Sequence, residues 1–149
     1  MRDRQIWVGA VFQPSSENRK RIVLSAIENG FDTVVLDSRD SDFTGLGRFR
    51  AIILKDGKFI EEGKTIGALL ELKGKEDELK AKKLADRTGT VVISARNWKV
   101  IPLENLIVHF QGSGSKLLML ARTAEEAKLF FETMERGADG VLFVPQKIE

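Results

Sequence analysis

The sequence predicts an α/β protein built on a mostly parallel, (β/α) barrel-like sheet, and three features carry that prediction. Short β-branched runs alternate with helically patterned segments along the whole chain, the sign of βαβ units rather than of a sandwich or a helical bundle. Three helical segments close on a glycine that feeds a Val-rich run, at Gly30, Gly89 and Gly137. The 149 residues, 42% hydrophobic and 31% charged, are sized and composed for one domain spanning 1–149 with its own core.

The first strand is IWVGAVF (6–12), followed by Ser15 and Ser16 as alternative caps of a helix over 15–29 whose Ile22, Val23, Ala26 and Ile27 share one face. Gly30 supplies a left-handed stop, and DTVVLD (32–37) is the next strand. The polar stretch SRDSDFTGLG (38–47) has room for a single helical turn or a loop. In AIILKDGKFIEEGKTIGALLEL (51–72), Asp56-Gly57 between two apolar runs is a two-residue hairpin signal, since both central positions of that turn need positive φ. A strand at 65–72 then resumes the parallel pattern.

The charged segment KEDELKAKKLADRT (75–88) reads as a helix with acids first, cations later and Gly89 as its stop. Strand TVVISA (90–95) leads to a helix over 102–111, with Pro102 at its first position and Leu103, Leu106, Ile107 and Phe110 as its apolar stripe. Strand KLLMLA (116–121) precedes a helix over 123–136, opened by the capping box of Thr123 and Glu126 and buried through Ala127, Phe130, Phe131 and Met134. GVLFV (140–144) is the last strand. About seven core strands result, one αβ unit short of a full barrel, so the expectation is an incomplete barrel with one open edge and a small hairpin around Asp56-Gly57. An open doubly wound sheet is the competing arrangement.

Composition narrows the chemistry. There is no cysteine and a single histidine, His109, which excludes disulfides, thiolate nucleophiles, zinc clusters and any site needing two imidazoles; no metal site is expected. Twenty-four basic against 22 acidic residues give a net charge of +2, no one-sign field of the kind that holds nucleic acid. The apolar runs fall far short of the ~20 residues of a membrane span, and MRDRQIWV lacks the apolar core of a signal peptide. The reading is a cytoplasmic protein with no membrane or nucleic-acid partner.

In parallel α/β folds ligands sit beyond the C-terminal ends of the strands. The residues there are Gln13, Asp37 and Arg39, Lys55, Glu71 and Lys73, Arg96 and Asn97, Arg122, and Gln146 with Lys147. Six are cations, and a convergent rim of Arg and Lys suits a small anionic substrate. Arg96 and Arg122 are the candidate substrate clamp. Glu71 and Lys73, one period-2 step apart, form a candidate acid-base pair whose plain alternative is a rim salt bridge. Two glycine-rich stretches do not make a nucleotide site: GLGRFR (45–50) and GSGSK (112–116) each run into a strand instead of opening a helix. His109 falls on the polar face of its helix, and Trp98 reads as a packing anchor.

The run NWKVIPLENLI (97–107), with TAEEAKLFFETMERGADGVLFVP (123–145) beyond it, resembles the archaeal-type, or type II, 3-dehydroquinate synthase family, whose members are more than twice as long. The matching positions are Trp98, Pro102, Glu104 and Asn105 in the first run, and Glu126, Lys128, Asp139 and Gly140 in the second. Local pattern also accounts for several of these: Pro102 opens a helix, Glu126 completes a capping box and Asp139-Gly140 is turn chemistry.

The resemblance implies a shikimate-pathway enzyme of aromatic amino-acid biosynthesis that converts 2-amino-3,7-dideoxy-D-threo-hept-6-ulosonate to 3-dehydroquinate with NAD, by oxidation at the amine-bearing carbon, loss of ammonia and an intramolecular aldol closure. It adds Glu104 as a catalytic candidate and Asn105 as a substrate contact, while the sequence shows no dinucleotide fingerprint. Two other readings stand beside it, a non-catalytic interaction scaffold of the same descent and a small phosphate-binding barrel enzyme. The open edge predicts completion by a C-terminal region or by self-association into a dimer or higher oligomer.

Overall fold

The computed structural model describes residues 5–85, 87–95, 103–132 and 139–145. Eight strands form a closed barrel in sequential order: β1 (Gln5–Gly9), β2 (Thr33–Asp37), β3 (Arg50–Lys55), β4 (Lys58–Glu61), β5 (Lys64–Leu72), β6 (Thr90–Ala95), β7 (Lys116–Ala121) and β8 (Gly140–Phe143). Helices α1 (Ser16–Glu28), α2 (Lys75–Leu84), α3 (Leu103–Gln111) and α4 (Ala124–Glu132) lie outside it, and a 3-10 helix at Ser41–Leu46 occupies the short β2–β3 crossover.

The expectation of seven strands and an open edge is therefore corrected. The hairpin arm β4 is a full stave, antiparallel to both β3 and β5, while every other neighbouring pair is parallel. β1 pairs with β8 over Gln5↔Gly140 to Val8↔Phe143, which shuts the barrel. An antiparallel stave needs only tight turns in place of a crossover helix, so eight strands close in far fewer residues than eight αβ units take.

Both turns flanking β4 have left-handed residues at their two central positions. Asp56 and Gly57 lie at φ 53° and 75°, and Glu62 and Gly63 at 51° and 79°, the geometry that matches strand twist in two-residue hairpins. The expected turn is thus where the sequence places it, and the second, at Glu62-Gly63, was not foreseen.

Alternation along the strands divides the core in two. Trp7, Val35, Ile52, Phe59, Val92, Leu118, Leu120 and Leu142 fill the barrel interior, where Trp7 and Phe59 meet edge to face at 5.5 Å between centroids. At the N-terminal end Arg50 lies over the Trp7 ring at 5.7 Å and grips both carboxylate oxygens of Glu61 at 2.7 and 2.8 Å, holding that carboxyl below its ordinary range. The other strand faces pack under helices: Val8, Ala10, Val34 and Leu36 against Ile22, Val23 and Ala26 of α1, and Val91, Ile93, Leu117, Met119 and Val141 against Leu106, Ile107 and Phe110 of α3 and Phe130 of α4. β6, covered on both faces, is buried along its whole length.

Helix boundaries follow their caps. Ser15 caps α1 by accepting the Asn18 amide at 3.1 Å, and Gly30 at φ 81° ends it as expected. α2 stops earlier than expected, at Leu84, because Ala85 turns extended. Gly89 is then not a helix stop but a point of close approach, where an added Cβ would sit 3.0 Å from the Ile66 carbonyl oxygen. Gly137, Pro102 and Met134 lie outside the described residues.

Candidate functional site

At the C-terminal end of the barrel the interior alternation turns polar. Glu71 continues the inward column of Leu69 on β5, Ser94 that of Val92 on β6, and Arg122 that of Leu118 and Leu120 just past β7. These three, with Leu69, Leu120, Val144 and the β1–α1 lip of Phe12, Gln13 and Pro14, line a cavity of about 460 Å³ at the mouth, within the size range of small-molecule sites.

Ser94 stands opposite Glu71 in the β5–β6 register, and the Arg122 Nη2 reaches its hydroxyl at 3.5 Å, a long contact. The Arg122 backbone is fixed at the same time. Its amide donates to the Glu126 carboxylate at 2.8 Å, and Thr123 Oγ1 accepts the Glu126 amide at 3.0 Å. This is the foreseen capping box with its carboxylate reaching one residue further back than usual.

The cavity brings together two of the candidates, Glu71 and Arg122, and separates others. Lys73 is not among the lining residues: β5 ends at Leu72, so the alternation that paired Lys73 with Glu71 stops there, and the Lys73 amide turns to the Asp77 carboxylate at 2.7 Å, which lowers the Asp77 pKa. Asn105 is exposed on α3 and does not reach the cavity. Glu104 belongs to α3 with its side chain outside the described residues, and Arg96, Asn97, Trp98, Gln146 and Lys147 lie outside them as well.

Of the rim cations that the structure describes, Arg39, Lys55 and Lys73 do not converge on the cavity. Arg39 folds back on Asp37, with Nε and Nη2 at 2.9 and 3.1 Å from its two oxygens, and that side-chain contact lowers the Asp37 pKa to about 2. Lys55 sits beside the β3–β4 turn, opposite Lys58. Among the described residues Arg122 is the one cation in the cavity wall.

Of the positions carried by resemblance, Asp139 accepts the Leu117 amide at 2.8 Å and exchanges backbone bonds with β7 and β1, while Lys128 is exposed on α4. Asp139 lies before β8, at the end of the barrel opposite the mouth. His109 is exposed, 6.0 Å from the Phe110 ring.

Two features were missed. Ser94 precedes the end of its strand and so is not among the residues that follow the strands; its signal is the period-2 step from the buried Val92. A buried ion pair between Arg19 and Asp40, at 2.6 Å and 4% exposed on both residues, has no local sequence signature.

Among the described residues no group of three or more His, Cys, Asp or Glu side chains is placed to hold a metal ion, and no helix is long and apolar enough to cross a membrane. The same residues do not fit a dinucleotide at the mouth. Both glycine-rich stretches precede strands, β3 and β7, and so lie at the opposite end of the barrel, and the start of α4 carries the Glu126 carboxylate where a pyrophosphate would need open amides.

Residues 3–149 match the family model described as the 3-dehydroquinate synthase II N-terminal domain. Curated proteins named 3-dehydroquinate synthase are also similar. The one from Methanocorpusculum labreanum is 41% identical over 87% of this chain and 37% of its own length. Those from Methanosphaera stadtmanae and Methanopyrus kandleri are 39% and 29% identical, over 84% and 100% of this chain and 40% and 50% of their own. The chain thus spans at most half the length of these relatives. No solved structure shows a significant match.

Proposed function

Since the chain belongs to the 3-dehydroquinate synthase II N-terminal domain family, we propose that its barrel mouth is the substrate site of a shikimate-pathway enzyme acting on a small amino acid. The reaction proposed is the NAD-dependent conversion of 2-amino-3,7-dideoxy-D-threo-hept-6-ulosonate to 3-dehydroquinate in the cytoplasm, with the remaining length of the full protein completing the enzyme. The observation that carries the reading is one cavity lined by one guanidinium, one carboxylate and an apolar wall. That set is complementary to an α-amino acid, which presents a carboxylate and an ammonium on a carbon skeleton.

In this reading Arg122 binds the substrate carboxylate, Ser94 adds a hydroxyl donor beside it, and Glu71 faces the amine, first as its charge partner and then as acceptor of a proton from it. Phe12, Leu69, Leu120 and Val144 exclude water from the carbon chain. In this reading NAD is held by parts of the protein other than the described residues, which do not fit it. The phosphate-binding reading is less well supported, since the Glu126 carboxylate stands beside the Arg122 backbone and repels a phosphate.

The test is steady-state kinetics on the full-length protein with the amino-heptulosonate and NAD, following reduced-nicotinamide absorbance. Arg122→Ala is expected to weaken substrate binding by about 1.5–3 kcal/mol, the worth of a charged hydrogen bond, and Glu71→Gln to lower kcat with a smaller effect on KM. Unchanged kinetics in both variants would overturn the assignment.

A further inference from the structure

The lip that forms one wall of the cavity is fastened from below by a group that never enters the cavity. Arg19, in the first turn of α1 and 4% exposed, directs Nε and Nη2 to the two Asp40 oxygens at 2.6 and 3.4 Å, and Nη1 to the carbonyls of Gln13 and Pro14 at 3.1 and 2.9 Å. Asp40 itself caps the 3-10 helix through its carbonyl, which accepts the Phe43 amide at 2.9 Å. The planar fork thus joins α1, the β2–β3 crossover and the β1–α1 lip at a single point.

The rest of the lip is tied down consistently with this. The Gln13 side chain donates to the Pro145 carbonyl, just past the neighbouring strand β8, at 3.3 Å, and its amide donates to the Ala10 carbonyl at 3.2 Å. Phe12 lies back over Gly9, where an added Cβ would sit 3.0 Å from the ring and 3.3 Å from Leu142 Cδ1. Gly9 shares the inward alternation of Trp7, so its bare Cα lets the ring settle on the inner end of the barrel. Three of the nine lining residues, Phe12, Gln13 and Pro14, therefore depend on how the lip is held.

A buried ion pair is a poor source of stability, because desolvation offsets most of its attraction, and an apolar pair of similar volume often serves as well. What an apolar pair cannot do is donate to two successive loop carbonyls that have no ladder partner. We propose that Arg19 is a positioning residue of the candidate substrate site, anchored by Asp40 and acting through the Gln13 and Pro14 carbonyls to set the depth of the Phe12–Pro14 wall. The proposal rests on the mouth cavity being the substrate site.

The test uses the full-length protein, with the double variant Arg19→Met/Asp40→Leu, which keeps the space filled and removes the fork, and with Arg19→Lys, which keeps the charge and loses the planar geometry. Amide exchange at Val11, Phe12 and Gln13 is read against exchange in β6 and β7, and 3-dehydroquinate affinity is measured by calorimetry. In both variants, lip exchange is expected to rise by roughly tenfold or more and affinity to fall by a similar factor, as loss of a charged hydrogen bond dictates, with β6 and β7 protected as in the wild type. Wild-type lip exchange in a folded variant, or faster lip exchange with unchanged affinity, overturns the proposal. If the double variant does not fold, Arg19→Lys decides by the same readings. If the unmodified full-length protein binds no 3-dehydroquinate, the reading of the cavity falls, and the exchange arm alone upholds or overturns the role of Arg19 in holding the lip.

Discussion

Asp37 and Arg39 show how far a local ion pair shifts a single group. Two hydrogen bonds from the guanidinium and one from the Arg39 amide at 2.9 Å bring the Asp37 carboxyl from its ordinary 3.8 to about 2. A depressed carboxylate stabilises the fold above its unfolded pKa and loses that contribution as pH falls through the folded value. The window here runs from about pH 4 down to about 2. Titration followed by NMR should find Asp37 ionised at pH 3, and Arg39→Ala should return its midpoint toward 3.8; a midpoint near 3.8 in the wild type would refute the pairing. The buried pair behaves differently. Asp40→Ala strands the Arg19 charge and should cost about 3–5 kcal/mol in urea unfolding, far more than the loss of an exposed pair such as Arg21–Glu17. Residues whose place at the mouth follows from local alternation, Glu71 and Arg122, were legible in the sequence. Arg19 and Asp40 were not, because the desolvation that makes them matter comes from tertiary packing of α1 on the β2–β3 crossover.

At the scale of elements, the most exacting pieces are the two turns around β4. Asp56-Gly57 announces itself, since Asp and Gly both tolerate the left-handed region. Glu62-Gly63 does not, since a glutamate at φ 51° is an uncommon choice held there by the pairing of β4 with both neighbours. Replacing Glu62 with Asn should therefore stabilise the protein by about 0.5–1 kcal/mol, whereas Ala at Gly57, where φ is 75°, should destabilise by about 1 kcal/mol or more. Thermal unfolding of the two variants checks both signs, and an Asn variant less stable than the wild type would show that the Glu62 side chain does something the backbone argument omits. The same hidden turn explains why the sequence suggests seven strands: without it, residues 58–61 read as the arm of a small hairpin before the strand at 65–72, instead of as a stave of the barrel. Helices were legible from their stripes and caps, as Ser15 and the Thr123–Glu126 box show, while the end of α2 was misplaced by assigning its stop to Gly89.

For the molecule as a whole, closure is the property that no local pattern encodes, because the β1–β8 pairing joins the two ends of the described chain and depends on strand number and tilt together. It removes the open edge from which self-association was expected; any oligomer must use other surface. Closure has a narrow tolerance at Gly140, where an added Cβ would lie 2.3 Å from the Gln5 carbonyl oxygen and 3.0 Å from its carbon. Backbone cannot yield there as a flexible side chain would, so Gly140→Ala must push β8 from β1 and break part of the Gln5–Val8 ladder. The expected cost is about 3 kcal/mol or more, and the freed edges of β1 and β8 offer unpaired amides and carbonyls to a second chain. Gly45→Ala is the matched control, since nothing lies within 4 Å of its added Cβ, and it should change stability by no more than about 0.5 kcal/mol. Denaturant unfolding with light scattering on the three proteins separates the outcomes. Association that appears in Gly140→Ala, beyond whatever the wild type and Gly45→Ala show, is the signature of an opened barrel; a Gly140→Ala variant as stable and as dispersed as the control would mean that the β1–β8 seam does not hold the barrel shut.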